Sequence, residues 1–97
     1  MATYIALSTF TDQGIRNVKD TAKRAEQVAA SARKYGATMT QIYWTLGKYD
    51  VVAIIEAPND EAATAFSLSI GAQGNVRTQT MRAFSKDEVG AILGKLG

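Results

Sequence analysis

Cysteine and histidine are both absent from this chain. Without cysteine there can be no disulfide framework, no thiolate nucleophile and no Cys-based metal site, and thiol usage gives no reading of redox compartment. Without histidine the commonest general base, the commonest imidazole metal ligand and the usual haem ligand are gone as well. Any chemistry would have to run on Tyr, Asp, Glu, Lys, Arg, Ser or Thr, or on a bound cofactor. No apolar run approaches the roughly 18 residues that a membrane span needs. Met1-Ala2-Thr3-Tyr4 has no basic region followed by an apolar core, so no secretory leader is expected and the cytoplasm is the default compartment. A formal net charge of +2 is too small to imply nucleic acid or an anionic membrane as partner.

The 97 residues present are 46% hydrophobic and 21% charged, ordinary globular usage, and suffice for one domain spanning 1–97. Thr3 to Phe10 alternates as a strand, with Ile5 and Leu7 on one side and Tyr4, Ala6, Ser8 and Phe10 on the other. Thr11 and Asp12 suit the start of a long helix ending at Gly36. Its stripe of Ile15, Val18, Ala22, Ala25, Ala29 and Ala32 implies close approach to a sheet, and Arg16, Lys19, Lys23 and Arg24 read as a solvated face. Ala37 to Leu46 forms a second strand, with Ile42, Trp44 and Leu46 alternating against Met39, Gln41 and Tyr43. Asp50 to Glu56 forms a third whose Val51 to Ile55 run is apolar without alternation, as in a strand buried on both faces.

Pro58-Asn59-Asp60-Glu61 opens a second helix that carries Ala62, Ala65, Phe66, Ser69, Ile70 and Gln73 towards the sheet and closes at Gly74-Asn75. Val76 to Phe84 reads as a polar edge strand. Ser85-Lys86-Asp87-Glu88 is a capping-box pattern opening a short helix with Val89, Ile92, Leu93 and Leu96 as its apolar side.

This β-α-β-β-α-β order defines an α+β, ferredoxin-like sandwich: a four-stranded antiparallel sheet, two helices on one face and a short C-terminal helix. Right-handed crossovers place the first and third strands centrally. Either the terminal helix or a second subunit would cover the other face, and the aliphatic third strand favours the subunit. The same topology brings Thr11-Asp12-Gln13, Gly47-Lys48-Tyr49-Asp50 and Gly74-Asn75-Val76-Arg77 to one end, where polar loops on a rigid sheet commonly build a site.

The run WTLGKYDVVAIIEAPND, followed by GNVRTQTMRAFS and preceded by TDQG, resembles the GYD domain family over nearly the whole chain. Its Gly-x-Tyr-Asp motif corresponds to Gly47, Tyr49 and Asp50. The resemblance implies a subunit of the dimeric α+β barrel type and no particular activity. Barrels of that type that bind haem hold it through His, which this chain lacks, and no Walker- or dinucleotide-type glycine loop is present, so no cofactor is expected. The scattered carboxylates Asp12, Asp50, Glu56, Asp60 and Glu61 form no metal constellation.

Tyr4, Ser8, Trp44, Tyr49, Asp50, Arg77 and Thr78 are the residues expected to line a ligand pocket, at the free sheet face or the loop end. For Gly47, Tyr49 and Asp50 a purely structural hairpin stands against a reading in which Tyr49 or Asp50 handles protons. Trp44 reads as core or interface ahead of substrate platform. Arg77 and Arg82, on opposite faces of the fourth strand, are expected to form ion pairs, with Asp50 or Glu56 of a partner subunit among the acceptors. An RNA-recognition role fails because the third strand offers no aromatic to stack a base. The expected function is a cytoplasmic homo-oligomer binding a small organic molecule; a regulatory or structural oligomer without ligand and a cofactor-independent enzyme are the alternatives.

Overall fold

The computed structural model describes the whole chain, Met1–Gly97. Strands β1 (Ala2–Phe10), β2 (Thr38–Trp44), β3 (Val51–Ala57) and β4 (Val76–Ala83) form one antiparallel sheet in the order β2-β3-β1-β4. The central positions fall to β1 and β3, as the crossover rule requires, and the polar β4 lies at an edge. Helices α1 (Asp12–Arg16), α2 (Thr21–Ser31), α3 (Asp60–Ala72) and α4 (Lys86–Leu93) complete the order.

Strand pairing sorts the side chains. Tyr4, Ala6 and Ser8 of β1 stand opposite Ile55, Ala53 and Val51 of β3, and this face packs on Phe66 and Ala63 of α3 and on Ala32 just beyond α2. Phe66 is the largest side chain lost entirely from solvent. Its ring lies 5.9 Å from that of Tyr35. Ile5 and Leu7, opposite Ile54 and Val52, point to the other face, which no helix of the chain covers. Met81 and Tyr43 extend that face across β4 and β2 and are themselves exposed. Only 11 of the 97 residues are buried, a small core for a chain 46% hydrophobic, so much of the apolar surface faces outwards.

The single long helix expected after Thr11 is instead broken. Thr11 caps α1 as anticipated, its hydroxyl accepting from Gly14 N–H at 3.1 Å. At Asn17 the backbone leaves helical geometry; its N–H still donates to Gln13 O at 3.2 Å, and the Asn17 side-chain amide adds a second donor to the same carbonyl at 3.0 Å. A 3₁₀ turn, Val18–Asp20, then leads into α2, and another, Ala32–Tyr35, ends at Gly36 with φ of 69°. Because of the break, Ile15 and Val18 are exposed rather than aimed at the sheet. The alanine stripe approaches closely only at its end, where Ala32 is fully buried; Ala22 is exposed and Ala25 half-buried.

A bulge between Met39 and Gln41 corrects the reading of the second strand as well. It turns Met39 onto the same face as Ile42 and Trp44, opposite Ile55, Ala53 and Val51. In α3, capped by Asn59 through Ala62 N–H at 2.9 Å, the buried residues are Ala63 and Phe66, whereas Ala65 and Gln73 are exposed.

The Ser85–Glu88 capping box forms as the sequence implied. The helix it opens, α4, packs mainly on the turn that follows it and not on the sheet. Val89, Ile92, Leu93 and Leu96 are left exposed. Arg82 ties this arm to the body: its guanidinium pairs with Glu88 at 3.3 Å and lies 5.7 Å and 4.4 Å from the centres of the Tyr4 and Phe84 rings. The ion pair foreseen for Arg82 is therefore made within the chain. Glu88 sits below the ordinary glutamate range, first because Ser85 N–H donates to it and then because Arg82 does.

No helix is long and apolar enough to cross a membrane.

Candidate functional site

The three loops that topology assigns to one end of the sheet do meet there. Thr11 N–H donates to Asn75 O at 3.1 Å and the Thr11 hydroxyl to Gly74 O at 2.5 Å. The Gln13 amide donates to Gln73 O and to Asn75 Oδ1. Gly14 is buried against this loop so closely that a Cβ would lie 1.9 Å from Asn75 O. On the hairpin side Asp50 carries the connection, its N–H donating to Ser8 O and its Oδ2 accepting from Phe10 N–H, both at 2.8 Å. Thr45 closes the hairpin through Asp50 O and Tyr49 O. Gly47, at φ of 120°, supplies a turn that a side-chain-bearing residue would strain.

The expected site residues separate into groups. Tyr49 and Arg77 belong to the open side of the sheet: Tyr49 Oη donates to Gln79 at 3.0 Å, and Arg77, opposite Thr9, has no carboxylate partner, so the ion pair expected for it is not made within the chain. Asp50 is engaged in the loop end. Tyr4 lies at the far end of β1, where its hydroxyl donates to Asp60 at 2.5 Å. That bond to a carboxylate, followed by burial, pushes the Tyr4 phenol above its usual range. Ser8, Trp44 and Thr78 come together on the helix side, around a cleft.

That cleft lies between α2, α3 and the helix-covered face of the sheet. Its volume is about 90 Å³, and 13 of the 20 residues lining it are hydrophobic. Ala6, Ala53 and Ile55 form its floor, with Val28 and Ile70 on the helix walls. Small residues contribute to its lining: Ala25 of α2, Ala6 of β1 and Ala53 of β3. Its polar groups are few. Ser8 and Thr78 hydroxyls bond each other at 2.9 Å, and Trp44 Nε1 donates to Thr21 Oγ1 at 3.0 Å. Arg24 is the one charged residue in the lining.

Arg24 was not legible as a site residue because an unbroken helix assigns it to the solvated side. The break at Asn17 lets its guanidinium fold back, donating to Asn17 O at 2.7 Å and to Gly14 O at 3.4 Å. Gly14 was visible in the sequence only as part of TDQG.

Replacing Asp50 with alanine would strand the half-buried Phe10 N–H, at a cost of about 1–3 kcal/mol. A correspondingly lowered urea midpoint is the expected outcome; an unchanged midpoint would mean that the Asp50 carboxylate does not hold the hairpin to β1.

A βαββαβ chain with one helix-covered sheet face is a ferredoxin-like sandwich. Solved structures agree on the fold. The chain is similar to FFRP-DM1, with TM-score 0.62 at 21% identity, covering 87% of this chain and 100% of that one. It is similar also to a hypothetical protein of Pyrococcus horikoshii, with TM-score 0.61 at 20% identity, covering 89% and 93%. The GYD domain model matches residues 4–93, and the chain belongs to the GYD domain family. A relative from Thermus thermophilus is 32% identical over 84 residues, 86% of this chain and 88% of its own length. It carries the name glutamine synthetase and cystathionine beta-lyase binding protein.

Proposed function

We propose that this single-domain chain is a cytoplasmic homo-oligomeric binding protein. It pairs through the open sheet face and takes a small organic molecule in the helix-side cleft. The cleft is the observation that carries this reading. At about 90 Å³ it far exceeds the roughly 10–15 Å³ one water requires, and most of its lining residues are hydrophobic. On this reading the pocket lies on the helix side of the sheet and not against the open face, with Ser8, Trp44 and Thr78 of the expected set among the cleft-lining residues that support it.

Self-association rests on the apolar row of Ile5, Leu7, Val52 and Ile54 on a face without cover, and on the exposed apolar side of α4. The hydrogen bonds made by Tyr49 and Asp50 support structural roles for both, which weighs against proton-transfer catalysis.

Trp44 is the one tryptophan in the chain and lines the cleft, so its fluorescence reports occupancy. Titration with 1-hexanol is expected to give a saturable change. A linear, non-saturating response to this and other small apolar probes would overturn the ligand-binding reading. A second reading, docking of partner enzymes, is favoured by the name of the Thermus thermophilus relative. The same exposed apolar surfaces would serve it.

A further inference from the structure

We propose that the cleft selects a monoanionic carboxylate with a short apolar body, and that Arg24 is the residue that reads its charge. The proposal rests on the ligand-binding reading above and adds the chemical class.

Charge is the first argument. Among the cleft-lining residues Arg24 is the one cation, and no Asp or Glu stands among them. The chain's sole ion pair is Arg82–Glu88, so Arg24 is not neutralised by any carboxylate of its own. Asp20, one helical turn earlier, borders an outer hollow that Arg24 also lines, together with Lys23, but it is not within ion-pair distance of Arg24. A guanidinium left without counter-charge at the side of an apolar cleft is an incomplete ion pair.

Geometry is the second. Two of the Arg24 N–H donors are committed to the carbonyls of Asn17 and Gly14. Those bonds fix the planar fork without cancelling its charge, and the guanidinium carries further donors beyond them. A fork fixed in advance loses little freedom on meeting a carboxylate, and such charge-assisted pairs are roughly twice as strong as neutral hydrogen bonds. A single cation matches one negative charge; a doubly charged phosphate would leave a second charge unpaired beside an apolar wall.

Size sets the rest of the ligand. A volume of about 90 Å³ limits the enclosed part of a ligand to a short body, since each water takes roughly 30 Å³ in the liquid. Ala6, Ala53, Ile55 and Val28 would meet an aliphatic body, while the Ser8 and Thr78 hydroxyls bond each other and leave one O–H free to donate. Hexanoate, a monoanion on a short apolar body, is the probe.

The test uses the whole protein and Trp44 fluorescence, with hexanoate and 1-hexanol titrated in parallel near pH 7. Hexanoate is expected to saturate at about tenfold lower concentration or better. In Arg24→Gln that advantage should vanish while the response to 1-hexanol persists; Arg24→Lys should keep part of it. Urea midpoints of both variants establish that they are folded, and the wild-type ratio decides the question even if one is not. Equal affinities for the two probes in the wild type, or a hexanoate preference that survives in folded Arg24→Gln, would overturn the carboxylate assignment and leave the cleft reading standing. Saturation by neither probe would sink both.

Discussion

Gly14→Ala is expected to destabilise the protein by about 3 kcal/mol, the upper part of the range for overpacking against a rigid neighbour. The added Cβ would lie 1.9 Å from Asn75 O, 2.9 Å from its carbonyl carbon and 3.2 Å from its Cα. All three are backbone atoms, so no side chain can swing aside. Moving α1 away instead would break the bonds from Thr11 to Asn75 and Gly74 and those from Gln13. Gly71→Ala is the control: it lies in α3 with nothing within 4 Å of the added carbon, and helix propensity makes it neutral or stabilising by about 0.5–1 kcal/mol. Urea unfolding of the two variants checks the contrast. Equal midpoints would mean that α1 and the Gly74-Asn75 loop are not locked together.

Ile54→Lys is expected to abolish self-association. Ile54 sits mid-strand in β3, between Ile5 and Gln41, on the face without helices. In an isolated subunit that face meets water, and an ammonium there is well solvated on a flexible stem. Against a second copy the same charge would be buried without a partner, at a cost of several kcal/mol per interface and doubled by symmetry. Light scattering should therefore give the single-chain mass of 10.4 kDa for the variant and a multiple of it for the unmodified protein. Wild-type-like assembly of Ile54→Lys would place the interface elsewhere.

The strand framework was legible because each strand carries its own signal. The unbroken Val51 to Ile55 run marked a central strand, the polar Val76 to Phe84 stretch an edge, and the capping residues Thr11, Asn59 and Ser85 lie where the helices start. Topology then brought the Thr11, Asp50 and Gly74 loops together before any side chain was placed. The departures come from tertiary contacts that local pattern does not encode. At Asn17, whose side-chain amide joins its backbone N–H on Gln13 O, the backbone leaves helical geometry and one helix becomes two. A bulge at Met39–Gln41 turns Met39 over. The cleft is lined by Ala6, Ala25 and Ala53 from three elements, whereas alanine periodicity alone suggests close packing. Asp50 illustrates how a motif can mark a fold: its carboxylate holds the hairpin to β1 and lies outside the cleft lining.

Native mass spectrometry with hexanoate tests the account most directly, since one spectrum reads both association and ligand. The account predicts a multiple of the 10.4-kDa chain that gains one hexanoate mass per subunit. A 10.4-kDa monomer whose mass hexanoate does not change would contradict it.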